Sequence, residues 1–184
     1  MKSIKKIDCI GLIEYRSVAK GLAASDLMLK SSNVDLIFSA VLCPGKYVAM
    51  IAGDISSVQE AEKLVHSNDG GFLLSSTVIT DVDPQVFSAL SATSNVGKVD
   101  TIGVLETMDA ISAVTAADKI VKSAHVDLIE IRLARGMGGK AFVFFNGELA
   151  NVEEAMRAGI NAIAESGALI AWSIIPNASP KILL

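Results

Sequence analysis

The sequence is poor in the residues that build most catalytic and metal centres: its 184 residues include two cysteines, two histidines and one tryptophan, and aromatics make up 5%. Cys9 and Cys43 form no C-x-x-C motif, and in a chain expected to be cytosolic they read as free thiols or metal ligands rather than a disulfide. His66 and His125 have no Cys, Asp or second His at metal-ligand spacing and read as solvated side chains near helix ends. No Ser/His/Asp or Cys/His constellation stands out, which argues against nucleophilic catalysis. Positive charge is scarce as well. Only Lys2, Lys5 and Lys6 cluster, and the net charge is -4, so a nucleic-acid partner is not expected. Long apolar runs are missing, because Glu148, Glu153, Glu154, Arg157 and Glu165 interrupt the most hydrophobic region; no membrane-spanning helix is expected. Met1 to Cys9 carries lysines with no apolar segment behind them, so the expected location is cytoplasmic.

What the chain has instead is aliphatic residues. Its hydrophobic fraction is 51%, mostly Ala, Val, Ile and Leu, which suits close packing of helices on a sheet. That surplus is expected to be taken up partly in subunit interfaces, although a compact interior also absorbs such residues.

An internal repeat organises the sequence. At an offset of 92, Ile10-Gly-Leu-Ile-Glu14 falls on Ile102-Gly-Val-Leu-Glu106, Asp26 on Asp118, Lys30-Ser31 on Lys122-Ser123 and Val34-Asp-Leu-Ile37 on Val126-Asp-Leu-Ile129. From Ile10 to Ile37, 11 of 28 positions are identical, which marks a duplication. After a two-residue insertion in the second copy, Gly45-Lys46 meets Gly139-Lys140 and Gly53-Asp54 meets Gly147-Glu148. The copies differ in one loop, Leu42-Cys43-Pro44-Gly45 against Ala134-Arg135-Gly136-Met137-Gly138-Gly139.

Each copy reads strand, helix, strand, strand, helix, strand. In the first, a strand over Ile10 to Tyr15 precedes a helix from about Ser17 to Ser32, with Val18, Leu22 and Leu29 near the helical period and Asn33 as a left-handed cap. Lys30 lies in the last turn, where a cation complements the helix dipole. Val34 to Leu42 and Lys46 to Gly53 form a hairpin around Cys-Pro-Gly. Ser57-x-x-Glu60 and Asn151-x-x-Glu154 are read as capping boxes that open the second helix of each copy. A last strand covers roughly Phe72 to Thr80, and Asp81 to Asp100 connects the copies with a short helix around Gln85 to Leu90. The expected fold class is α+β, two unpermuted ferredoxin-like βαββαβ domains at residues 1–95 and 96–184.

The Ile-Gly-Leu-Ile-Glu segment, the helix ending Asp26-x-x-x-Lys30-Ser-x-x-Val34 and the Gly-Asp before the second helix resemble the bacterial microcompartment (BMC) shell domain, occurring here twice over about Ile10 to Ile175. With Cys-Pro-Gly-Lys in the first hairpin, the chain is similar to the tandem-domain class of that family. The resemblance implies a homotrimer that forms a pseudohexameric tile and packs edge to edge with other shell proteins, its metal centre either passing electrons across the shell to redox enzymes inside or being inserted and removed through the pore. It also implies that the first-domain hairpins meet on the central axis, where three copies of Cys43 hold one [4Fe-4S] cluster per trimer, and that Lys30 and Lys122 match the family's tile-edge lysine. The first strand is preceded by several more residues than is usual, and Cys9 has no assigned role.

The same residues carry plainer readings. A lone hairpin cysteine is ordinarily a small half-buried residue, and one chain cannot supply the four thiolates that iron–sulfur clusters normally use. A threefold axis through the loop gathers three soft ligands. The competing reading is three reduced thiols lining a pore for small metabolites. Lys30 and Lys122 also serve as dipole partners at helix ends. Arg135-Gly136-Met137-Gly138-Gly139-Lys140 joins two strands, opens no helix and is followed by no Ser or Thr, so its glycines are expected to let a pore loop fold near the axis rather than to cradle phosphate. Glu14 and Glu106, and likewise Asp26 and Asp118, share repeat positions and are read as structural pairs rather than acid–base groups. A ferredoxin-like enzyme or regulator is the remaining alternative, and no sequence feature supports it.

Overall fold

The structure, a computed structural model, describes residues 7, 9–95, 97–133, 136 and 138–182. These fall into two compact units that divide between Val82 and Asp83. The first holds β1 (Cys9–Tyr15), α1 (Val18–Ser31), β2 (Val34–Leu42), β3 (Lys46–Gly53), α2 (Ile55–Asn68) and β4 (Leu73–Thr80). The second holds α3 (Pro84–Leu90), β5 (Thr101–Thr107), α4 (Ala110–Ser123), β6 (Val126–Leu133), β7 (Ala141–Gly147), α5 (Leu149–Ala162) and β8 (Leu169–Ile175), with single 3-10 turns at Ala164–Ser166 and Pro180–Ile182. The division lies before the connecting helix rather than near Asn95, because α3 packs on β6 and α4 within the second unit.

Each unit is one antiparallel sheet, ordered β2-β3-β1-β4 and β6-β7-β5-β8, which is the split βαβ arrangement expected from the sequence. The duplication extends to irregularities. Bulges fall between Glu14 and Tyr15 and between Glu106 and Thr107, and again at Leu36/Phe38 and Leu128/Glu130. Close packing explains the Ile-Gly dipeptide of each first strand. A Cβ on Gly103 would lie 2.2 Å from Phe145 Cζ, and one on Gly11 would lie 2.9 Å from Val58 Cγ1, so only glycine leaves room for the overlying side chains.

Three local expectations are corrected. Helix α1 buries Gly21, Ala24, Ser25 and Met28, whereas Leu22 is 53% and Leu29 40% exposed, because small residues bring the helix down onto Tyr47. Its end is set by an extended Ser32 whose N–H reaches Met28 O at 3.0 Å, and Asn33 is not left-handed. The second helix of each unit starts three residues before the expected box, since the acid after Gly53 or Gly147 already holds the cap position. Asp54 accepts from Ser57 N at 2.9 Å, Ser57 Oγ at 2.8 Å and Ser56 Oγ at 2.6 Å; Glu148 stands at the same place without a side-chain bond.

Two outcomes test this packing. Gly103→Ala should destabilise the protein by about 1–3 kcal/mol in urea unfolding, the usual cost of overpacking a closed core. The serine hydroxyls and the Ser57 amide hold the Asp54 carboxyl well below the usual carboxylate range. A depressed folded-state value contributes stability in full above the unfolded carboxylate range, about pH 4, and loses it as pH falls. Asp54→Ala should therefore lower stability at neutral pH and flatten the acid limb of the stability profile.

Candidate functional site

The β2–β3 turn is tight because Leu42 pairs directly with Lys46, leaving Cys43, Pro44 and Gly45 as its apex. Leu42 is buried beneath the turn and Cys43 is exposed. Gly45 has φ +78°, a conformation that favours glycine, and a Cβ there would meet no atom within 4 Å. The Cys43–Pro44 peptide is cis. The apex thus presents one thiol with little bulk around it.

The matching loop of the second unit joins β6 to β7, as the sequence reading required, and opens no helix. Gly136, Gly138 and Gly139 take φ values of +77°, +64° and +91°, so all three glycines are used for left-handed backbone. Arg135 and Met137, the other two residues assigned to this loop, lie outside the described residues. Among the described residues no three His, Cys, Asp or Glu side chains come together as a metal cage within the chain.

Just below the turns the two units repeat an acid–lysine pair. Lys46 Nζ donates to Glu14 Oε1 at 2.8 Å, with Glu14 fully buried, and Lys140 Nζ lies 3.4 Å from Glu106 Oε1, which is 32% exposed. Glu14 and Glu106 are accordingly structural. The sequence reading did not assign Lys46 and Lys140 as their partners, although the repeat alignment sets both acids and both lysines in register.

The helix-end lysines are also paired. Lys30 Nζ donates to Asp26 Oδ2 at 2.7 Å and Lys122 Nζ to Asp118 Oδ2 at 2.7 Å, each one helical turn apart. Their surroundings differ. The Lys30–Asp26 side chains are 73% and 61% exposed, those of Lys122 and Asp118 only 28% and 1%, and Asp118 Oδ1 additionally accepts the Asp83 N–H at 3.0 Å.

Two residues left without a role gain one. Cys9 is fully buried in the core of the first unit, and desolvation, with Asp54 and Glu62 adding to it, pushes its thiol up from the ordinary value. His66 is not merely solvated, since its Nε2 lies 2.8 Å from Ser76 Oγ, which donates to Glu62 Oε1 at 2.7 Å.

Two consecutive, unpermuted βαββαβ units with matching ion pairs define a tandem-duplicated α+β protein. The sequence profile of the BMC domain matches residues 9–82 and again 101–178. The chain belongs to the BMC domain family and is a structural microcompartment shell protein rather than an enzyme. It is 36% identical over 167 residues to the bacterial microcompartment shell protein PduT of Citrobacter freundii, covering 91% of both chains. It is also 29% identical to the carboxysome assembly protein CcmO of Synechocystis, covering 91% of this chain and 60% of that relative. Among solved structures, a microcompartment protein from Desulfitobacterium hafniense superposes with TM-score 0.85 at 36% identity, covering 96% of this chain and 98% of the other.

The unequal burial of the two acids predicts unequal consequences. Lys46→Met, which takes the counter-charge from a buried carboxylate, should cost about 2–3 kcal/mol, below the full penalty for breaking a buried pair because the lysine tip reaches solvent. Lys140→Met should cost less than about 1 kcal/mol, as for a surface pair. Thermal unfolding of both variants checks the order.

Proposed function

We propose that the chain is a homotrimeric shell tile, two domains from each of three copies closing a pseudohexagonal ring that meets other shell proteins edge to edge. The observation that carries this reading is one exposed thiol, Cys43, at the apex of the first-unit turn, with no cysteine at the matching place in the second copy. In a trimer the chain then contributes one soft ligand per copy, three in all, to a common axis.

The donor set fits a [4Fe-4S] cluster in kind, with three thiolates and one iron position left to a small ligand. Exposure of Cys43 and the open space around Gly45 support three turns approaching closely. Cys43 holds the cluster in this reading, while Leu42, buried under the turn, and the Lys46–Glu14 pair fix the direction of the apex. When bound, the group supplies one-electron chemistry to redox enzymes enclosed by the shell. Lys30 and Lys122, held by Asp26 and Asp118, serve at the tile edges. The shell itself stands in the cytoplasm.

The test is oxygen-free purification with iron and sulfide assay alongside sedimentation. A three-chain particle with about four irons per three chains is expected, and Cys43→Ser should lose the iron while keeping the trimer. A wild-type trimer without iron or sulfide would leave a pore for small metabolites as the reading. Lys30→Ala and Lys122→Ala should abolish sheets seen by electron microscopy.

A further inference from the structure

The outer edges of the two sheets are finished differently. In the second unit α3 covers β6: Gln85 Oε1 accepts the Leu128 N–H at 2.9 Å, Asp118 Oδ1 accepts the Asp83 N–H at 3.0 Å, and Val86 and Ala89 are buried. Leu128 is consequently 2% exposed. In the first unit the equivalent strand β2 is the outer strand of its sheet and, among the described residues, no further strand pairs with it. Leu36, the counterpart of Leu128, is 39% exposed, Ile37 37% and Val41 57%. Asp26, the counterpart of Asp118, has its Oδ2 on Lys30 and, among the described residues, no hydrogen bond to Oδ1.

The chain contains a second copy of the missing cover. After β4 come Asp81 with φ 50°, buried Val82, the cap Asp83 and Pro84; after β8 come Asn177 with φ 47°, buried Ala178, Ser179 and Pro180. Ser179 caps its short turn as Asp83 caps α3, its Oγ accepting from Lys181 N at 3.4 Å where Asp83 Oδ1 accepts from Gln85 N at 2.8 Å. The duplication therefore extends through the connecting helix. Ile182 stands at the place of Val86, yet Val86 is fully buried and Ile182 is 43% exposed.

We infer that the segment 177–182 docks on the β2 edge of a second copy of this chain, with the Ser179 N–H on Asp26 Oδ1 and Ile182 over Leu36. The assignment to another copy follows from the repeat logic. The segment after the first repeat covers the edge strand of the second, so the segment after the second covers the edge strand of the next first repeat, which belongs to a neighbour. One contact changes chemistry. Lys181 replaces Gln85 and cannot accept the Leu36 N–H, but it arrives beside the exposed carboxylate of Asp35, so an ion pair takes the place of a hydrogen bond. Closing a strand edge that otherwise offers unpaired N–H and C=O groups also keeps the tile from pairing with unrelated sheets.

This inference rests on the homotrimer proposed above, and one experiment separates the two. Full-length protein carrying Leu36→Cys and Ile182→Cys on a Cys43→Ser background is sized by sedimentation, treated with a short bis-maleimide and run under denaturing conditions, with each single-cysteine variant as control. Bands of two and three covalently joined chains, absent from the controls, are expected. A trimer in sedimentation that yields no joined chains, or a cross-link confined to one chain, overturns the docking and leaves the trimer standing. A monomer in sedimentation overturns both. Ile182→Asp in the otherwise native chain should raise the concentration of half-dissociation by about tenfold or more, the loss of one buried aliphatic contact; an unchanged value counts against the docking.

Discussion

The pairing of the first and third strands in each unit is the constraint on which the rest depends. Through β1 and β3, from Cys9 opposite Gly53 to Tyr15 opposite Tyr47, it seats Glu14 beside Lys46 and so anchors the base of the Cys-Pro-Gly turn. The same pairing of β5 with β7 anchors the glycine loop through Glu106 and Lys140. A buried carboxylate with its ammonium partner contributes little net stability against an apolar pair, but it tolerates few alternative registers. Position rather than stability is what a symmetric assembly needs from a loop.

Much of the fold was legible because duplication doubles every weak signal. The split βαβ order emerged from two aligned copies and the short connecting helix from the residues around Asp83-Pro84, and the residues of the BMC resemblance proved to be those that pack or pair: Gly11 under Val58, Gly103 under Phe145, Asp26 with Lys30. Misreadings arose where one side chain outcompetes another that suits the same role. Asp54 takes the cap from Ser57 because the turn after Gly53 presents its carboxylate to three donors at once. In α1 the periodic leucines point away from the packed face, since Gly21, Ala24 and Ser25 allow a closer approach than leucine does. The partition of α3 with the second unit was not legible either, because its reason is a contact with β6 distant in sequence.

The candidate site was legible only in part. Cys43 is exposed at the β2–β3 turn, and Gly136, Gly138 and Gly139 lie with positive φ between β6 and β7. What a single sequence does not carry is the inequality between copies. Asp26–Lys30 and Asp118–Lys122 read identically along the chain, yet one pair is open and the other is sealed by the cap of α3. The edge role proposed for the lysines therefore meets two different local environments.

The two cysteines occupy opposite extremes of chemical accessibility. Cys9 sits in the apolar interior with its thiol pushed toward the protonated form, whereas Cys43 stands at the surface. Thiolate is the form that alkylating and oxidising reagents attack. In a cluster-free chain Cys43 is therefore the thiol that such reagents reach first, and a fluorophore or spin label taken up there reports on the turn.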